Sequence, residues 1–257
     1  MKRNLVLGFA CLLIALVACS SVGGEPSTTP LPPTKVPAAT RTPQPTVDRT
    51  ATAEAVAAEE MAHLQELVAP DLELAGYSLD EGQLGYAASE DISLTVDTFG
   101  TRVNDFLDSS KPSFANFVLG VDVEWDSETG RAGCHIMFRA GDDLDKDEFA
   151  VLQTIRLSGA PEWAIILVKY DAGQTILNAG GYQSSAAIKL ASGSTNHYVL
   201  VVDGPSFIVY ANGERIGAGT MPARVTEGTI AFGAWQESGL TTCNFSNIWV
   251  WELPDNE

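Results

Sequence analysis

The chain has 257 residues, with 33 acidic against 15 basic side chains and a formal charge of −18. A surface of that sign repels phosphate backbones, which excludes nucleic acid as a partner class. With 45% hydrophobic residues and 23 glycines the composition is globular, and the length allows one large domain or two small ones.

The first segment, MKRNLVLGFACLLIALVACSS, carries Lys2 and Arg3 ahead of an apolar run from Leu5 to Ala18. The run is too short and too early to favour a spanning helix, and residues 1–18 read as a secretory signal. It ends in Leu16-Val17-Ala18-Cys19, which resembles a bacterial lipobox. The resemblance implies cleavage before Cys19, diacylglycerol on its sulfur, and an extracytoplasmic protein held on a bacterial membrane, since two or more acyl chains give stable anchoring. Cys11 leaves with the signal. Cys134 and Cys243 remain, an even pair in an oxidising compartment, and a disulfide is expected over two buried thiols. It would close a loop of about a hundred residues and stabilise the fold by about 4–5 kcal/mol on the chain-entropy model.

Residues 19–50 are dominated by Pro, Thr and Ser without a hydrophobic period, which predicts an extended tether. Residues 51–69 are rich in Ala, Glu and Leu. Ala57, Met61, Leu64 and Val68 recur at helical spacing as one narrow stripe. A short coiled-coil stalk and a helix docked on its own domain both fit that stripe, and its brevity favours docking.

From Pro70 the pattern changes to strands, and residues 70–257 read as one domain. Eleven β-branched and aromatic runs are separated by Gly, Asp, Asn and Ser clusters: DISLTVDTF, FVLGVDVEW, CHIMFRA, FAVLQTIRL, WAIILVKY, TILNAG, AAIKLA, HYVLVVDG, SFIVYANG, TIAFGAWQ and CNFSNIWVWEL. Asn212-Gly213 predicts a type I′ hairpin, and Asp203-Gly204 predicts a second turn whose Pro205 stays outside any central ladder. The last segment is apolar on both faces through Ile248, Trp249, Val250 and Trp251, so it is expected to be covered on two sides. An interior shared by Trp125, Phe138 and Trp251 follows from the same reading.

These runs, FANFVLGVDVEW, GCHIMFRA, HYVLVVDGPSFIVYANGERIGAG, EGTIAFGAWQESG and CNFSNIWVWEL, resemble the concanavalin A-like lectin/glucanase superfamily, including laminin-G-type modules and the bacterial 3-keto-disaccharide hydrolase family. The resemblance covers roughly Leu84 to Leu253. It implies an all-β, two-sheet antiparallel jelly-roll sandwich. It does not fix an activity, because the fold serves lectins, glucanases and adhesion domains alike.

Glu124, Asp126 and Glu128 are spaced two apart, like the carboxylates of bacterial β-glucanases. Alternation through Phe117, Leu119, Val121, Val123 and Trp125 places that set inward and Asp122 and Glu124 on the opposite face. Pairing Trp125 with Ala132 and Val123 with Cys134 makes residues 126–131 a loop, with Asp126 capping it and Glu128 in the bend. A retaining glucanase needs its carboxyls about 5–5.5 Å apart on one rigid face. No catalytic residue is therefore assigned, and the chain is read as leaning away from an enzyme. The same register sets Asp122 opposite His135, so that Asp122, Glu124, His135 and Arg139 form a candidate ligand-binding face; a solvated face with a cross-strand acid–His or acid–Arg pair is the plainer alternative. Trp163 and Trp235 sit near turn signals and are candidate stacking platforms for a sugar ring, against the alternative of core packing.

Asp143, Asp145 and Asp147 are spaced as in a calcium loop, but Glu148 stands where an EF-hand needs Gly, and Thr154 where it needs the bidentate Glu. No metal site and no cofactor are assigned, weak surface calcium being the alternative to a solvated acidic loop. The functional expectation is a lipid-anchored binding module for an extracellular or envelope glycan. A glycan hydrolase or lyase of the 3-keto-sugar type, or a module docking another envelope protein, stand as alternatives.

Overall fold

The computed structural model describes residues 49–103, 112–127, 131–141, 143–144, 146–157, 159–169, 173–189 and 191–254, with side chains from Ala62 onward except that of Leu157. Residues Asp48–Glu257 form one compact unit. In chain order the elements are α1 (Arg49–Ala75), β1 (Gln83–Ala87), β2 (Ile92–Val96), β3 (Gly100–Val103), β4 (Phe117–Ser127), β5 (Ala132–Ala140), β6 (Glu148–Leu157), β7 (Ala160–Lys169), β8 (Gly173–Ile176), β9 (Gln183–Ser184), β10 (Ser194–Asp203), β11 (Ser206–Ala211), β12 (Glu214–Thr220), β13 (Thr229–Gln236) and β14 (Thr241–Glu252).

The strands form the expected two-sheet antiparallel jelly-roll sandwich. One sheet, called here the helix-side sheet, runs β1-β14-β4-β10-β11-β12 with β2 also on β14; the other, the groove-side sheet, runs β3-β13-β5-β6-β7-β8 with β9 on β7. Alternation turns Phe117, Leu119, Val121, Val123 and Trp125 of β4 toward Cys134, Ile136 and Phe138 of β5 in a continuous dry core. Each side chain fully buried there contributes roughly 1.5–3 kcal/mol. Cys134 and Cys243 are disulfide-bonded with Cα atoms 5.8 Å apart, joining β5 of one sheet to β14 of the other.

β4 and β5 are not a hairpin, and the pairing of Trp125 with Ala132 and of Val123 with Cys134 is corrected. Trp125 pairs with Cys243 and with Ser194, while Ala132 pairs with Arg156 and Gln236. Two inward apolar rows match equally well as neighbours in one sheet or as opposite walls of the core, and period-2 alternation does not separate these cases.

The helix also differs from its expected 51–69 span: it continues through Pro70 to Ala75. Proline removes one helix hydrogen bond, but the apolar stripe persists beyond it in Leu72, which with Val68 packs against Val118, Val199, Val201, Trp249 and Trp251 on the outer face of the helix-side sheet. The helix docks on its own domain. Gly76, at φ 89°, ends it, with Tyr77 N–H bonded to the Leu72 carbonyl at 2.8 Å and Gly76 N–H to that of Glu73 at 3.1 Å, the Schellman arrangement. Ala57 and Met61 lie outside the described side chains.

β14 is covered on both faces as expected, yet the interior shared with Trp251 is corrected. Its register with β4 shifts between Ser246 and Trp249, with Asn247 at φ 50°, and beyond this bulge Trp249 and Trp251 point to the helix while Val250 points inward. Trp125 and Phe138 belong to the inner core and Trp251 to the layer under α1. Gly120 makes room for this: a Cβ there would come 2.2 Å from the Trp249 ring. Asn212 and Gly213 both have positive φ, as the type I′ turn requires. AAIKLA is no strand but a turn whose Ile188 plugs the core, and β1, β3 and β9 were not legible as strands.

Candidate functional site

The face expected to carry Asp122, Glu124, His135 and Arg139 together does not exist, because β4 and β5 lie in different sheets. Asp122 and Glu124 project from the outer face of the helix-side sheet. Asp126 joins them there, on the strand rather than in a loop, since β4 runs to Ser127; Glu128 lies outside the described residues. Glu124 accepts a hydrogen bond from Asn244 Nδ2 at 3.4 Å, and Asp126 accepts one from the Ser192 hydroxyl.

Asp122 does face a histidine, but it is His197 of β10. His197 Nδ1 is 2.7 Å from Asp122 Oδ1 and its Nε2 2.9 Å from Asp71 Oδ2 of α1; Asn247 Nδ2 donates to the second Asp122 oxygen at 2.7 Å. Burial disfavours the imidazolium, yet the two carboxylates outweigh it and push its pKa up to about 9. The bond to His197 in turn holds Asp122 below the usual carboxylate range. This cluster fixes the helix to the sheet.

Arg139 is structural. At 3% exposure and φ 51°, its guanidinium donates to the carbonyls of Ala115 (3.1 Å from Nε), Val225 (2.9 Å) and Gly204 (2.8 Å), tying three loops at one end of the sandwich. Trp163, expected near a loop, is 1% exposed in the core, its ring against Gly217; β7 already begins at Ala160, so alternation turns Trp163 inward with Ile165 and Leu167.

His135 lies on the outer face of the groove-side sheet, in a groove of about 230 Å³ that crosses β3, β5, β6, β7 and β8. Its floor is apolar, with Met137, Val151, Ile166, Phe149 and Val168 projecting from consecutive strands and Leu144 contributed by the β5–β6 connection. Polar groups stand at both ends of it, His135 and Gln153 one row along and Gln174 opposite Val168 in the last row. His135 pairs across the ladder with Gln153, and their side chains meet at 2.6 Å between Gln153 Nε2 and His135 Nε2. The Tyr182 hydroxyl donates to Gln153 Oε1. A glutamine amide nitrogen only donates, so His135 Nε2 accepts and the imidazole proton sits on Nδ1. Burial lowers the His135 pKa to about 4, so the ring is neutral at physiological pH. Trp235 belongs to the same face: Phe232 and Ala234 of β13 point into the core, and Trp235 stands half-buried opposite Gly133, one row beyond His135. Glu162, opposite Ile155, is the one carboxylate among the described outward positions of this sheet's strands, and its charge adds to the burial that raises the Tyr182 pKa.

Of the expected ligand-binding residues, then, His135 lines the groove, Trp235 stands on the same face one row beyond it, and Asp122, Glu124, Arg139 and Trp163 lie elsewhere. Gln153 and Tyr182 were missed. Gln153 had a signal, as the polar residue in the alternating set Phe149, Val151, Gln153 and Ile155 of FAVLQTIRL. In the acidic loop, Asp147 caps the Asp143 N–H at 3.1 Å and Asp143 pairs with Lys146; Asp145 lies outside the described residues. Cys19 and the tether lie outside them as well.

No family model matches the chain, and no curated protein does. Among solved structures it is similar to the carbohydrate-binding module CBM66 from Bacillus subtilis, at 13% identity over 66% of this chain and 94% of that one, with a TM-score of 0.48. It is also similar to a family 16 endo-glucanase from Bacteroides ovatus (14% identity, 68% and 86% covered, TM-score 0.45) and to a Bacillus licheniformis β-glucanase (13% identity, 67% and 83% covered, TM-score 0.41). At such identities and scores no ligand, residue role or activity is carried across.

Proposed function

We propose that the chain is a lipid-anchored, extracytoplasmic binding module that holds a glycan in the groove-side face without cleaving it. The observation that carries the reading is the His135–Gln153 pair lining the groove, with Tyr182 bonded to Gln153 and Trp235 one row along the same face. Such a bonded set presents fixed acceptors and donors to sugar hydroxyls, and a half-buried indole supplies a flat apolar surface for a ring. Among the described outward strand positions of this sheet Glu162 is the one carboxylate, whereas glycoside hydrolysis uses a pair flanking the scissile bond. A docking module for another envelope protein is the second reading, which the apolar floor favours.

Glycan-array screening of the chain, with a His135→Ala and a Trp235→Ala variant alongside, tests the reading. Binding to neutral oligosaccharides that both variants weaken supports it; an array left blank by a folded protein sinks it. The anchor is tested separately by labelling cells with radioactive palmitate, where a Cys19→Ser variant that still takes up label would remove the lipobox reading.

A further inference from the structure

Resting on the glycan-binding reading above, we propose that the groove accepts an uncharged sugar ring bearing a short acyl group, the ring at the His135–Gln153 end and the acyl group on the apolar floor. Three observations converge on this ligand class.

The first is the segregation of chemistry along the strands. The hydrogen-bonding side chains His135 and Gln153 occupy one row of the sheet, the next row is Met137, Val151 and Ile166, and the last is Phe149 and Val168 with Gln174 at the sheet edge. Ile176 of β8, paired opposite Ile166 and 36% exposed, carries the apolar strip to the sheet edge. A bare hydroxyl laid on that floor gives up water without gaining a partner, at a cost of at least about 1–3 kcal/mol. A methyl-terminated acyl group there gains burial instead.

The second is charge. None of the described residues lining the groove carries a charge at neutral pH, His135 being neutral through burial. A carboxylated or sulfated sugar would meet no cation there, on a chain whose overall charge of −18 repels it. The third is size. At about 230 Å³ the groove lies below the roughly 300–1,000 Å³ of drug-sized ligand sites, which suits one ring with an acetyl-sized substituent and not a long lipid chain.

The test uses the full chain, purified in detergent, on an array of neutral oligosaccharides printed in O-acetylated form and again after alkaline deacetylation, with acetylated xylo-oligosaccharides as the titrated probe. Val151→Thr and Val168→Thr keep side-chain shape and make the floor polar; melting curves verify that each folds, and either one alone suffices. Acetylated probes are expected to bind at least about 10-fold tighter, the discrimination a buried methyl group gives, and each threonine variant to cut that preference several-fold. Equal affinity for both forms, or a preference that neither folded variant alters, overturns the acyl assignment and leaves glycan binding standing. An array blank for both forms overturns both readings together.

Discussion

Asp71 on α1 and His197 on β10 are 126 residues apart in sequence, and their side chains meet at 2.9 Å. Because Asp122 takes the other ring nitrogen, the imidazolium bridges helix and sheet. The folded pKa, about 9, lies above the ordinary 6.5, so this contribution is fully present below pH 6.5 and is lost as pH rises through 9. Asp122, whose pKa is lowered, contributes in the opposite sense: its share is present above its ordinary value of 3.8 and is lost as pH falls below it. After discounting for partial exposure, His197→Gln is expected to lose about 1–2 kcal/mol near pH 6 and almost nothing near pH 10. Urea unfolding across that range measures it, and parallel wild-type and variant curves would refute the bridge.

Leu72, fully buried beneath the helix, is expected to carry much of the docking energy. Leu72→Ala should cost about 2–4 kcal/mol, whereas Glu73→Ala, on the exposed side, should stay within about 0.5 kcal/mol. Chemical denaturation compares the two. Equal losses would mean that the helix is not held by this contact.

The disulfide closes a sequence separation of 109 residues. Replacing Cys134 and Cys243 together by Ala is expected to lower unfolding free energy by about 4–5 kcal/mol if chain entropy governs the effect. Guanidinium titrations of the double variant and the wild type provide the number, and a loss under about 1 kcal/mol would contradict that account.

Arg139 holds three carbonyls at once, a task for a planar fork with donors in several directions. Arg139→Lys keeps the charge yet reaches fewer of them, and should destabilise by about 2–4 kcal/mol. Calorimetric melting reads this out; full tolerance of Lys would show that charge alone matters.

Tyr182→Phe removes the donor that orients the Gln153 amide. Glycan affinity should fall roughly fivefold, about 1 kcal/mol, with the melting temperature nearly unchanged because Tyr182 is only half-buried. Titration calorimetry on the variant decides it. Unchanged affinity would take the tyrosine out of the site.

The parts of the fold legible in the sequence were those fixed by local chemistry. Asn212-Gly213 dictated its turn through two positive φ angles, and the doubly apolar last strand required cover on both faces. Strand partnership was not local. Asp122 was expected opposite His135 and lies opposite His197; choosing between them needs the knowledge that β4 lies beside β10, a contact that alternation does not encode. Trp251 changed layers because one bulge near Asn247 reversed the facing of the residues after it. The groove eluded the sequence for the same reason: His135, Gln153 and Tyr182 come from three separate segments, and a sheet surface lined by Met137, Val151 and Ile166 reads as ordinary core until the second layer is known to lie on the other side.

On β5 the half-cystine and the groove histidine are successive residues, Cys134 facing inward and His135 outward. A reductant that opened the bond would therefore slacken the backbone directly beneath the imidazole, although the thiols themselves never touch a ligand. On the proposed reading, affinity at the groove is then expected to fall when the bond is reduced.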